Sequence, residues 1–170
     1  MRKFWTDRNG TAGIEFALLI PILILLFIGS ITLFDLYRIY WRQVQSTHIV
    51  SDLVSRETVI NDEYLTKVYD VYSGLLNVEA GARAMRISSI NFDGKNHSSV
   101  WTVSKGDSSL IPEQDLSKVA LPTMTTTESV IFVETFGTHG AFSSYLGYPA
   151  VTFAEQAFAR PRFVSAVLKN

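Results

Sequence analysis

The longest feature in the pattern of hydrophobic and polar positions is a stretch without any charged side chain, between Glu15 and Asp35. Its apolar part, Phe16–Phe34, has 19 residues, of which only Ser30 and Thr32 are polar. Because a helix rises ~1.5 Å per residue, this length crosses most of a ~30 Å hydrocarbon core. A buried helix of a soluble protein would normally carry a polar stripe, which is missing here. The pattern therefore predicts a membrane-spanning helix.

The apolar pattern continues behind this stretch at helical spacing. Tyr37, Tyr40, Trp41 and Val44 follow one another at positions i, i+3, i+4 and i+7. Aromatic rings directly behind a span are typical of the belt at the membrane–water interface. We therefore predict that one helix continues to about Ser55 and that Tyr37, Tyr40 and Trp41 are membrane-interface residues.

The pattern next predicts a second helix and a β-hairpin. Asn61 or Asp62 is a suitable N-cap for a helix that ends between residues 74 and 77. Its expected apolar face consists of Leu65, Val68, Tyr72, Leu75 and Leu76. Residues 85–92 and 100–103 have strand character and flank the turn sequence Asp93-Gly94, which indicates a hairpin.

The remaining residues predict a surface connection and two further strands. Residues 104–127 have no period and contain glycine and two prolines, so we expect a long connection there. Residues 128–136 form the next expected strand, which Gly137 and Gly140 should end. A last strand is expected at residues 151–160, before Pro161. The predicted fold class is α+β: a long transmembrane helix that continues into an amphipathic helix, a second helix and a small antiparallel β-sheet, in a lollipop arrangement.

Composition narrows the classes of function. The chain has 170 residues and a formal net charge of −1, which leaves one modest domain beside the span. It has no basic run and no interleaving of aromatic and basic residues, so nucleic acid is not an expected partner. Because it has no cysteine, it has neither disulfide bonds nor thiolate metal sites.

No group of residues has the spacing of a catalytic or metal site. The histidines at positions 48, 97 and 139 each lack a second histidine three or four residues away, so we interpret them as surface or packing residues. Glu128 and Glu134 share one face of their expected strand but would lie roughly 20 Å apart along it, too far for joint acid–base catalysis. We therefore predict that the protein is not an enzyme and has no cofactor, no metal and no small-molecule substrate.

Basic residues on the two sides of the span bear on its orientation. Arg2, Lys3 and Arg8 precede it, and Arg38 and Arg42 follow it. Since positive charge is enriched on the cytoplasmic side, the count of three against two favours a cytoplasmic N-terminus.

The junction between this basic leader and the span carries a motif. Residues 10–16 read GTAGIEF and run directly into ALLIP at residues 17–21. The motif resembles the type III signal of type IV prepilins and, more narrowly, the N-terminus of TadE/TadF-like minor pseudopilins of the tight adherence (Tad/Flp) type IV pilus system. The sequence FARPR at residues 158–162 also resembles the arginine-proline-arginine close of TadE-like domains.

The resemblance implies that a prepilin peptidase cuts between Gly10 and Thr11, which leaves Glu15 at the fifth mature position. It implies assembly contacts through Glu15 and Phe16. The implied partners are the inner membrane, the prepilin peptidase, other pilins and pseudopilins, and the Tad inner-membrane platform proteins. Cleavage after Gly13 is an alternative that would leave Glu15 at the second mature position, which departs from the family pattern.

The same resemblance implies three parts and a location. These are a leader (residues 1–10), a transmembrane and juxtamembrane helix (11–55), and an α+β domain (56–170) on the periplasmic or extracellular side of the inner membrane. The protein would cross the membrane once, with its N-terminus in the cytoplasm. The pilus itself is a second location that the resemblance leaves open.

Elementary chemistry agrees with the roles of these residues. Glycine before the span gives a peptidase an extended backbone without a side chain. Glu15 is expected in the first helical turn, where the helix dipole favours an anion, and an ionised carboxylate in the bilayer favours a cationic partner such as the new amine of Thr11. The simpler interpretation of Glu15 is that it is an acidic residue in the interfacial zone of the membrane, without a role in assembly.

Two functions of different classes remain open. The first is a minor pseudopilin required for assembly of a Tad pilus. The second is an uncleaved, single-pass, membrane-anchored periplasmic binding domain. The position of the mature N-terminus distinguishes them.

Overall fold

The structure is a computed structural model that describes residues 11–76, 82–126, 128–140, 147 and 149–170. Helix α1, Thr11–Ser55, is a single helix of 45 residues, and its end at Ser55 confirms the predicted boundary. The large apolar side chains between Ile14 and Phe34 are exposed except for the half-buried Ile28, and none of them is buried. Among the described residues, α1 is the one helix that is long and apolar enough to span a membrane, by its length and composition. We call residues 16–34 the apolar half of α1 and residues 35–55 the packed half.

Helix α2, Asp62–Leu76, packs beside the packed half of α1. The side chain of Asn61 caps it by accepting a hydrogen bond from the backbone N–H of Tyr64 at 2.8 Å, which confirms the expected N-cap. Its buried residues are Leu65, Val68, Tyr72 and Leu76. Leu75 was assigned to this face wrongly: it is exposed, and at 3.6 residues per turn it lies about 65° from the centre of the buried stripe, at its edge.

Four antiparallel strands form the main sheet: β2 (Arg83–Phe92), β3 (His97–Gly106), β4 (Ser129–His139) and β5 (Val151–Ala159). Their order in the sheet is β3-β2-β4-β5. The side chain of Asp93 organises the β2–β3 turn by accepting hydrogen bonds from the backbone of Lys95 and Asn96 at 2.8 and 2.7 Å. The predicted hairpin, the last predicted strand and the α+β class are therefore confirmed, although β5 ends at Ala159, one residue before the predicted end.

The prediction that Gly137 ends its strand is wrong. Gly137 lies inside β4, paired with Arg83 on one side and Phe153 on the other. A Cβ at this position would lie 3.2 Å from Oε1 of Gln43, so the absence of a side chain allows α1 to approach the strand closely. The glycine thus serves helix–sheet packing rather than chain reversal.

Two short strands escaped the sequence pattern. Strand β1 (Val59–Ile60) pairs in parallel with β6 (Leu168–Lys169) near the end of α1. Two residues are too few to show a period of two. Residues 104–106, assigned to the surface connection, extend β3 because they pair with β2.

The sheet lies between two coverings. The packed half of α1 and helix α2 cover one face, where the core includes Val50, Val54, Tyr72, Ile87 and Val133. On the other face, the segment 107–126 crosses the sheet, as Arg86 donates to the carbonyl of Pro112 at 2.6 Å. We call everything after α1 the head.

Candidate functional site on the long helix

The residues at the start of α1 are those that the leader motif singled out. Gly10 lies outside the described residues, and Thr11 is the first residue of α1. Phe16, the first residue of the apolar half, and Glu15, directly before it, are both exposed. Residues 11–14 are themselves helical, so Glu15 lies in the second turn of the described helix and not in the first turn as expected. At this position its carboxylate makes no ion pair with any side chain that the structure describes.

The three aromatic residues at the predicted interface form one cluster on α1. Trp41 makes edge contacts with Tyr37 and Tyr40, with ring centroids 6.1 and 6.3 Å apart. Tyr37 is 60% exposed and Trp41 45% exposed. Tyr40 also reaches the head, because its ring lies 6.2 Å from that of Phe153 in β5. The cluster therefore lies outside the core, at the point where the head begins.

The face of α1 that packs on the head carries polar residues, which the apolar pattern missed. Its buried positions are Ile39, Gln43, Ser46, Thr47, Val50, Ser51, Val54 and Ser55. They recur at three- and four-residue spacing, as one helix face requires. Small hydroxyl residues allow close packing on the sheet, and they satisfy their own hydroxyls on the helix backbone, as Thr47 does on the carbonyl of Gln43 at 2.8 Å.

A buried hydrogen-bond network joins α1, α2 and β4. Nε2 of Gln43 donates to Oη of Tyr72 at 3.0 Å and to Oγ1 of Thr135 at 2.8 Å. Thr135 contacts Oγ1 of Thr47 at 2.6 Å, and Tyr72 donates to the carbonyl of Phe136 at 3.0 Å. Burial raises the pKa of Tyr72 to about 12, so this hydroxyl keeps its proton at physiological pH. The network fixes the helix on the head in one register.

A side-chain hydrogen bond holds the base of the head to the first residue behind the apolar half. Oδ2 of Asp35 lies 3.0 Å from Nε2 of His139, and Oδ1 accepts from Arg38 at 2.9 Å. His139 is the last residue of β4. Its interpretation as a packing residue agrees with this contact, but no sequence signal pairs it with a residue 104 positions away. The sheet therefore begins at the level of the first charged residue behind the apolar half.

The arginine-proline-arginine segment contacts the opposite end of α1. The backbone N–H of Arg162 donates to the carbonyl of Ser55, the last residue of the helix, at 2.9 Å. Its guanidinium pairs with Asp52, and Arg160 donates to the carbonyl of Thr123 at 2.9 Å. A cation at a helix C-terminus also complements the helix dipole. The segment thus closes the head onto the end of α1.

The carboxylates considered for catalysis have separate structural partners. Glu128 precedes β4 and pairs with Arg160 at 3.4 Å, so its assignment to the strand was wrong by one residue. Glu134 is buried and accepts from Arg86 at 2.6 Å and from Gln114 at 3.1 Å. In the described ranges, no group of three or more His, Cys, Asp or Glu residues is arranged to hold a metal ion.

Comparison of the chain with protein-family models, with curated proteins and with solved structures finds no match. The functional interpretation therefore depends on the leader motif and on the geometry of α1. Both concern the same element, whose two halves have different surroundings. The apolar half is bare, and the packed half is built into the head.

Proposed function

We propose that this chain is a minor pseudopilin of a Tad-type pilus, required for assembly of the pilus. In this proposal the apolar half of α1 anchors it in the inner membrane, with the N-terminus in the cytoplasm and the head on the periplasmic or extracellular side. A prepilin peptidase removes residues 1–10. The partners are other pilins and pseudopilins and the inner-membrane platform of the same system.

The observation that carries the proposal is the combination of the GTAGIEF motif with the two-part helix. The motif precedes a stretch of 19 residues without charge, and this stretch is exposed in the structure. Exposed apolar surface of this extent requires an apolar partner, which lipid or the helices of other subunits can supply. Because α1 continues without a break into the head, a single helix connects the proposed membrane anchor to the head.

Glu15 has a defined task in this proposal. Cleavage after Gly10 creates an amine on Thr11, four residues before Glu15, and residues at this spacing are neighbours on a helix. An ionised carboxylate at the edge of the bilayer is stabilised by such a cation, on the same subunit or on the next one. A pair between subunits would set the axial register between two helices.

The test is the N-terminus of the mature protein, made with its cognate prepilin peptidase. Intact mass and N-terminal sequencing should show a chain that begins at Thr11. Gly10→Trp should block this processing because the peptidase site no longer accepts the side chain. Gly13→Ala is the matched control, since a Cβ at Gly13 meets no atom within 4 Å.

Other N-termini contradict the proposal. A chain that begins at Met1, or one cut after the start of the apolar half, favours the permanently anchored or secreted binding domain. A chain that begins at Ile14 would assign the processing site to Gly13 and would remove the role given to Glu15 as fifth mature residue.

A further inference from the structure

The base of the head lies at the level where the apolar half of α1 ends. The contact between Asp35 and His139 places the end of β4 one residue behind Phe34. Ile39, Leu76 and His139 line a common small cavity, so the C-terminal end of α2 lies there too. At ~1.5 Å per residue, Ile39 is about 8 Å beyond Phe34 along the helix, comparable to the headgroup layer on one side of a bilayer.

Helix α2 runs back toward this level from the far end of α1. Near its start, Oη of Tyr64 donates to the carbonyl of Leu53 at 3.1 Å. Its last residue, Leu76, shares the cavity with Ile39. The two helices are therefore antiparallel, and the last turns of α2 approach the apolar half of α1.

One exposed row of side chains on α2 changes from charged to apolar toward the base of the head. The row consists of Glu63, Lys67, Val71 and Leu75, each four residues after the one before. Glu63 and Lys67 form an exposed ion pair at 2.7 Å, far from the base. Val71 and Leu75, near the base, are 43% and 41% exposed. Along this row, α2 is thus charged far from the apolar half and apolar near it, and Asp70, beside the row, is exposed as well.

We propose that the Val71–Leu75 end of α2 rests on the phospholipid surface, as a second membrane contact beside the span. This inference depends on the membrane anchoring in the proposed function. A tilt of α1 toward the α2 side by about 20°, a usual magnitude for spanning helices, brings this side of the head closer to the lipid. The ends of valine and leucine side chains gain from leaving water at the headgroup–acyl boundary. Arg38, with 52% of its side chain exposed, lies at the same level and can reach lipid phosphates.

A second copy of the chain fits this surface less well than lipid does. Stable protein interfaces bury about 20–30 residues a side. Here the exposed apolar surface of α2 consists of two side chains next to an exposed charged pair. Lipid requires no matching surface of that size, and its position is set by the apolar half.

The experiment uses the absence of cysteine from the chain. Full-length variants Leu75→Cys and Val71→Cys are labelled with a fluorophore and placed in vesicles of phosphatidylcholine and phosphatidylglycerol. Some lipids carry a nitroxide near the headgroup end of an acyl chain and quench nearby labels. Lys67→Cys, on the same row, and Leu168→Cys, an exposed apolar position at the far end of the head, are matched controls. Ile24→Cys, near the middle of the span, reports on the span and is measured with lipids that carry the nitroxide near the terminal methyl of the acyl chain, at the bilayer centre.

We expect nitroxide lipid to quench the labels at positions 75, 71 and 24, and to leave those at 67 and 168 bright. If position 24 is quenched but 75 and 71 are as bright as 67, the head stands away from the membrane and only this inference fails. If position 24 is also bright, the anchoring fails and the inference fails with it. Quenching at 75 that disappears on dilution with unlabelled protein, independently of nitroxide lipid, would assign this surface to another copy and overturn the inference.

Discussion

Tyr72 is the residue at which α1, α2 and β4 meet. Its hydroxyl accepts from Gln43 and donates to the carbonyl of Phe136, inside a fully buried environment. Tyr72→Phe should lower the free energy of unfolding by about 1–3 kcal/mol, because two buried polar groups lose a partner. Denaturant unfolding of the full chain in detergent measures this change. Tyr37→Phe, at an exposed hydroxyl, should shift it by less than about 0.5 kcal/mol. Equal stability of the two variants would show that the network contributes nothing.

Glu15 differs from Tyr72 because nothing in the head depends on it. Glu15→Ala should therefore leave folding and cleavage intact and weaken assembly, since the amine of Thr11 loses its counter-ion. A charge-assisted contact is worth about 1.5–3 kcal/mol, so pairing between subunits should fall about tenfold or more. Pilus counts and co-purification with partner pilins, in a host that expresses the variant, measure the effect. Glu15→Asp, which keeps the charge, should retain most of the pilus assembly. Normal piliation by Glu15→Ala would show that Glu15 has no role in assembly.

At the scale of elements, the sequence predicted α1, α2 and the four strands of the main sheet because each has its own hydrophobic period. It did not predict which face of α1 packs on the head. The aromatic residues Tyr37 and Trp41 dominate the pattern but lie outside, whereas Gln43 and Thr47 are buried. Their burial depends on Thr135, about ninety positions away, so no local pattern contains it. Gly137 was misinterpreted for the same reason, because its function is contact with Gln43.

Gly106 and Gly74 should respond oppositely to the same substitution. Gly106 ends β3 with φ of 94°, and a Cβ there would clash with the carbonyl of Arg83, so Gly106→Ala should destabilise the protein by about 1–3 kcal/mol. Gly74 lies inside α2, where a Cβ meets no atom within 4 Å, so Gly74→Ala should stabilise it by about 0.5–1 kcal/mol. Unfolding midpoints of both variants in detergent provide the test. A destabilised Gly74→Ala would contradict the described environment of α2.

At the scale of the whole molecule, the α+β arrangement followed from the order of elements, but the level of the head relative to the apolar half did not. That level is fixed by the pair of Asp35 and His139 and by the docking of Arg162 on Ser55. Each joins residues more than one hundred positions apart, and charged side chains carry no period that would reveal such partners. The leader motif, in contrast, was visible because it is local.

The orientation of the molecule in the membrane is predicted from a difference of one basic residue, with three before the span and two behind it. The proposed function requires the head outside, since only there can it join a pilus. Lys95→Cys places a single thiol on the exposed β2–β3 turn, and a membrane-impermeant maleimide should label it in intact spheroplasts. Thr6→Cys in the uncleaved Gly10→Trp variant should react only after lysis. The reverse labelling pattern would place the head in the cytoplasm, on the wrong side for assembly whatever happens at Gly10, so orientation and processing test the proposal independently.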